Sequence, residues 1–236
     1  MTTQPDAAAP RRPLSRERVL QAAIDLADRD GLEALTMRSL ATDLGVEAMS
    51  LYHHVRNKDA LLDGVVDTVV AEINAAVPPL DGVIADDWQA ALRTRILVAR
   101  EVLLRHRWAP GLIETRASIS SSVMRYFDDV LGLLRAGGFS YDLAHHALHA
   151  LGSRALGFTQ ELFAPDDGDV AASDEENLAR LTELAAEVPH LVAMMAEISH
   201  EDADSTLGWC DDQAEFEFGL DLLLDGLEQR RRAGTA

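Results

Sequence analysis

The chain has 236 residues, 47% of them hydrophobic, which is enough for one or two domains with a real core and too apolar for a disordered tail. Its one cysteine, Cys210, excludes an intrachain disulfide and a cysteine-built zinc site, and no run approaches the roughly 18 apolar residues of a membrane span. The net charge of −19 has the wrong sign for a chain that coats nucleic acid, because phosphate contacts need cations.

That charge is unevenly placed. Residues 1–58 hold 8 Lys+Arg and 8 Asp+Glu, whereas residues 59–236 hold 13 and 32. Lys58, the only lysine, sits at the end of the neutral segment with Arg38 and Arg56 nearby. Such a distribution permits DNA contact through one patch and disfavours loose binding by the rest. Residues 1–13 have no apolar signal core and read as a flexible arm, so a cytoplasmic location is expected. Within the arm, Pro10-Arg11-Arg12-Pro13 is expected to solubilise more than to track a minor groove.

In chain order, a first helix is predicted from about Arg16 to Asp30, with Val19, Ala23 and Leu26 on one face and Gly31 ending it. Thr36 then caps a helix Met37–Leu44, closed by Gly45, and a second short helix follows at about Glu47–His53. Val46 and Leu51 are spaced to pack back on Leu40 and Leu44. Two short helices about a glycine turn form a helix-turn-helix unit, whose second helix is sized to enter a major groove. Asn57 caps a longer helix to about Ala76, with Leu61, Val65, Val69 and Ile73 at four-residue spacing. Pro78-Pro79 stops it, and residues 80–86 form a linker.

The rest is also helical by pattern. Helices are predicted over 87–107, which Pro110-Gly111 breaks, then over 120–136 and 141–163. An acidic loop covers 165–174, and further helices cover 175–188, 191–198 and 213–232, with Pro189 between the first two. No segment shows strand alternation. The expected fold is all-α: an N-terminal helix-turn-helix three-helix domain (14–76) and a C-terminal helical domain (77–236).

With its first helix ending at Gly31, then LTMRSLATDLGV, then LYHHVRNKDALLD, the chain resembles the tetracycline-repressor (TetR) family of transcriptional regulators. Tyr52, Val55, Asn57-Lys58 and Leu61-Leu62 carry the likeness most specifically. Weaker similarity to the family's C-terminal domain follows in order: Trp88-Gln89, the 103–107 segment LLRHR, Thr115-Arg116, Gly138-Phe139-Ser140, and Phe216 to Leu220 with Gly226-Leu227-Glu228. The resemblance implies a homodimer that binds a double-stranded DNA operator and is released by a small-molecule effector held in the second domain. It places Arg38, Ala48, Met49, Ser50, Tyr52, His53, His54 and Lys58 at the DNA. Of these, Arg38 suits guanine and Ala48 and Met49 suit a thymine methyl, while Tyr52 and Lys58 hold the backbone.

For the effector, the resemblance points to Ile73, Arg95, Trp108, Ile113, Thr115, Phe127, Phe158 and Glu161. Trp88, Met124, Met194 and Met195 are further apolar candidates. The family's metal-linked histidines correspond here to Ile73 and Ile113, and a drug-contacting asparagine to Arg95. Isoleucine cannot ligate a hard cation, so no metal or cofactor is expected and the effector should be largely apolar. Arg95 would pair an acidic group on the guest, or else a nearby acid of the chain. Other classes are a metal-dependent enzyme built on His145, His146 and His149, where no HExxH glutamate lies between the histidines and no third ligand is evident, and a protein-interaction adaptor.

Overall fold

The computed structural model describes residues 13–79, 87–116, 119–157, 187–197 and 212–234. Ten α-helices and no strand occur among them, as the all-α expectation requires. The arm up to residue 12, the linker 80–86, the loop 165–174, residues 175–186 of the helix expected over 175–188, the stretch 158–163, and Phe158 and Glu161 lie outside the described residues.

By their contacts the residues form two compact units, one of 1–82 with 94–132, the other of 83–93 with 133–236. Helix α5 (Trp88–Arg105) and helix α7 (Ser121–Ala136) thus contribute to both. The expected boundary at 76/77 marks the end of a helix, whereas contacts group later helices with the N-terminal ones.

The first unit begins with α1 (Arg16–Asp30), whose N-cap Ser15 accepts the Arg18 N–H at 3.2 Å. Its buried face, Val19, Leu20, Ala23, Ile24, Leu26 and Ala27, packs on α2 (Met37–Leu44) and α4 (Lys58–Ala76). At Gly64 on α4 the approach is close: a Cβ there would lie 2.7 Å from Leu20 Cδ2. A capping box starts α2, with Thr36 Oγ1 accepting the Ser39 N–H at 3.0 Å and Ser39 Oγ accepting the Thr36 N–H at 2.9 Å. Gly45 ends it at φ 65°, ψ 38°, a left-handed conformation that other residues adopt at a cost.

The second short helix, α3, spans only Ala48–Leu51, shorter than the expected Glu47–His53. Leu51 O accepts both the His54 and Val55 N–H groups at 2.9 Å, so the helical ladder closes in a turn and His53 lies beyond it. Fully buried Leu40 and Leu51 join the two helices, while Val46 and Leu44 are only partly buried. Asn57 Oδ1 accepts the Ala60 N–H at 2.8 Å and starts α4 as expected.

Pro110 does not merely break a helix. It lies in the first turn of α6 (Ala109–Thr115), which the sequence reading did not anticipate. There its missing N–H is one of the donors that has no helical partner anyway. Val66, Val70 and Leu112 form a cluster between α4 and α6, joined by Leu32, Leu62, Trp108, Ile113, Val123 and Tyr126.

In the second unit, α8 (Tyr141–Gly157) packs against α10 (Asp212–Gly234), and α9 covers Pro189–Glu197. Pro189, expected just before the helix at 191, is its first residue, for the same reason that Pro110 suits the first turn of α6. Along α10 the buried stripe is Phe216, Leu220, Leu224 and Leu227, and Leu223 is half-buried. Trp88 meets Phe139 edge-on, ring centroids 4.6 Å apart.

Candidate nucleic-acid interface

Two of the three helices of the reading unit start at a local capping signal. Caps at Thr36 and Gly45 fix the length of α2, and Asn57 fixes where α4 begins. Leu35, Leu40, Ala41, Leu51 and Val55 hold the unit from inside. What remains outside is the candidate surface. Arg38 is exposed on the first turn of α2, Met49 is 71% exposed on α3, and Tyr52 is 43% exposed just after it. His53 and Lys58 are exposed, whereas Ala48, Ser50 and His54 are half-buried. A lone exposed methionine means little; here Met49 and Tyr52 are exposed on and just after α3, and Arg38 on α2, which packs against α3.

The charges sort themselves in the same way. Arg29 is engaged, bonding Asp30 at 3.1 Å and Asp43 of α2 at 2.9 Å, so it serves to hold α1 to α2. Those two carboxylates push its guanidinium further up, Asp30 more than Asp43. Lys58 is the first residue of α4, where the backbone N–H groups also favour an anion such as a phosphate.

The residues expected at the effector occupy varied settings. Ile73 is buried on α4, and Ile113 and Trp108 pack in the apolar cluster of α4 and α6. Trp108 also donates its indole N–H to Asp28 at 2.7 Å. Arg95 is 2% exposed and forms a short ion pair with Asp129. Its guanidinium lies 5.4 Å from the Tyr126 ring centroid. Burial pushes the Tyr126 hydroxyl up to about 12, against the pull of Arg95. A salt bridge within the chain is therefore what Arg95 makes here, one of its two expected uses. Thr115 is exposed and donates to Leu112 O at 2.9 Å, and Phe127 is exposed on α7. Tyr126 and Asp129, the partners of Arg95, were not foreseen.

On α8, the exposed His145 and His149 rings meet edge-on with centroids 4.6 Å apart, as one-turn spacing demands. Among the described residues, no group of three or more His, Cys, Asp or Glu side chains is placed to hold a metal ion. Nor is any helix among them long and apolar enough to cross a membrane.

Comparison with known proteins decides the family. The family described as "Bacterial regulatory proteins, tetR family" matches residues 19–65, and "Tetracyclin repressor-like, C-terminal domain" matches residues 79–231. The chain belongs to the TetR family of ligand-responsive, DNA-binding repressors. It is 31% identical to the tetracycline repressor protein class C of Escherichia coli over 218 residues, 92% of each chain. It is also 31% identical to the transcriptional repressor DrrR1 of Streptomyces coeruleorubidus, over 93% of this chain and 79% of that one. Among solved structures it is similar to the TetR-family protein ActR of Streptomyces coelicolor in complex with actinorhodin. There the TM-score is 0.73 and the identity 28%, over 93% of this chain and 99% of that chain. The α2–Gly45–α3 unit and the start of α4 through Asp63 fall within the N-terminal match.

Proposed function

We propose that this TetR-family protein acts as a cytoplasmic homodimer, holds a palindromic operator with one α3 per half-site, and lets go when a small, largely apolar molecule binds without a metal. The observation that carries the reading is the exposed set Arg38, Met49 and Tyr52 on a capped helix-turn-helix within a charge-neutral N-terminal segment of an acidic chain. Arg38 reads a base, Ala48, Met49 and Ser50 line the groove, and Tyr52, His53, His54 and Lys58 hold the backbone. The protein regulates and does not catalyse.

Dimerisation follows from surplus apolar surface. Phe218 and Leu222 lie one turn apart on α10 and are 64% and 58% exposed, while the opposite stripe of the same helix is buried. A second copy covers the exposed face in a four-helix bundle of α8 and α10, an interface of at least about 2,000 Å² if obligate.

The effector reading rests on Ile73 and Ile113, hydrocarbon where metal-linked histidines would stand. ActR is similar and has been crystallised with actinorhodin, so a related kind of guest is the first to try. Such a guest must bind the two states unequally by a few kcal/mol to switch them. The test is fluorescence anisotropy of the full chain on DNA from its own upstream region. Magnesium with tetracycline should leave binding unchanged, and an aromatic or acyl compound should release it. Release by tetracycline only with magnesium would overturn the metal-free effector.

A further inference from the structure

Helix α4 opens on Lys58, its only cation, and carries four acids, Asp59, Asp63, Asp67 and Glu72. The first three stand four residues apart, so they share a face. After Lys58 the sequence holds no Lys or Arg until Arg93, and the helix cannot balance its own charge. Later parts of the chain do so. Arg105 pairs with Glu72 at 2.5 Å, and Asp67 accepts the Ser122 N–H and feels the charge of Arg125. Arg116, the C-cap of α6, lies 3.3 Å from Asp63 and 3.6 Å from Asp59.

The contacts of Arg116 differ in kind from those of Arg105. Its side chain is only 18% exposed, yet its buried Nε–H has no hydrogen-bond partner among the described residues. The 3.6 Å to Asp59 is also beyond hydrogen-bond reach. Arg116 thus gives the two acids charge at close range and no fixed geometry. That charge falls at the end of α4 that matters for DNA. Asp59 adjoins Lys58, and Asp63 is five residues on, about 7.5 Å of helical rise, inside a Debye length of about 8 Å at physiological salt. Left unbalanced, two carboxylates there would repel a phosphate approaching Lys58 and the α4 N-terminus.

We infer that Arg116 is a positioning residue for DNA binding: it offsets Asp59 and Asp63, so that the Lys58 end of α4 can meet an operator phosphate. It acts through those neighbours, from within the C-terminal family match onto a helix that starts in the N-terminal one. That a phosphate lies at Lys58 rests on the operator reading above. The rival role for Arg116 is a mechanical tie between α6 and α4. Asp63→Asn separates the two. Breaking a tie weakens binding, whereas removing a carboxylate from the surroundings of a phosphate strengthens it.

The experiment is fluorescence anisotropy of the full chain on a labelled random-sequence duplex and on DNA from its own upstream region, at about 50 and 200 mM salt. Arg116→Gln should weaken binding to both duplexes by about three- to tenfold at the lower salt, and by less at the higher. Asp63→Asn should tighten both by a similar factor. The double variant Arg116→Gln with Asp63→Asn should return to within about twofold of wild type, which a broken tie would not do. Should Arg116→Gln fail to fold, Asp63→Asn decides alone. Binding unchanged or weakened by Asp63→Asn, or a double variant no better than Arg116→Gln, would overturn the offset. Lys58→Ala without effect on either duplex would instead remove the phosphate reading beneath it.

Discussion

The Asp67 carboxylate of α4 accepts the backbone N–H of Ser122 at 3.1 Å, so one helix caps the start of another. Asn74, two turns further along α4, donates to Ser122 O at 2.9 Å. Burial pushes the Asp67 carboxyl up, but hydrogen bonds from Ser122 and Ser120 and the charge of Arg125 outweigh it, leaving it below its ordinary value. A carboxyl lowered on folding stabilises above its unfolded value, and the stabilisation is lost as pH falls through the folded one. Asp67→Asn should cost about 1 kcal/mol near neutral pH and progressively less below about pH 4, read as urea midpoints across pH. An equal cost at all pH values would mean that the carboxylate charge contributes nothing.

Arg38→Ala should weaken operator binding by about 1–3 kcal/mol and relax preference mainly at one base position of each half-site. Lys58→Ala should weaken binding to all sequences alike and lower the slope of log affinity against log salt by about 1. Titrations with single-base operator variants at several salt concentrations separate the two roles. Equal loss on all sequences for Arg38→Ala would remove it from base reading.

A Cβ at Gly137 would lie 2.7 Å from Trp88 Cγ and 2.9 Å from Cδ1. The indole cannot step aside easily, because it is buried against Phe139. Gly137→Ala should therefore destabilise by about 1–3 kcal/mol, seen as a lower Tm. An unchanged Tm would show that the indole has room to move.

Phe218→Asp should shift the dimer towards monomer in sedimentation at micromolar concentration, by placing charge in the proposed interface. The buried stripe of α10 lies on another face, so helical content should not change. A wild-type chain already monomeric at that concentration would contradict the four-helix bundle.

What the sequence made legible was local. Thr36, Gly45 and Asn57 announce helix ends by their own chemistry, and each cap forms where chain order alone would place it. Pro110 and Pro189 misled because a missing N–H ends one helix and suits the first turn of the next, and pattern alone does not say which. The partners of His106 and Arg95 were beyond reach for a different reason. Asp28 and His106 are 78 positions apart, Arg95 and Asp129 are 34, and only the packed fold brings them together.

The central claim is that this chain reads a specific, two-fold symmetric DNA sequence through Arg38 and α3. Selection from a pool of random duplexes by the full-length protein, followed by sequencing, tests it most directly. The account predicts enrichment of one palindrome, with half-sites about one helical turn apart or a multiple of it, and loss of preference at a single position per half-site for Arg38→Ala. Recovery of no enriched sequence, or of a site without two-fold symmetry that Arg38→Ala selects unchanged, would contradict it.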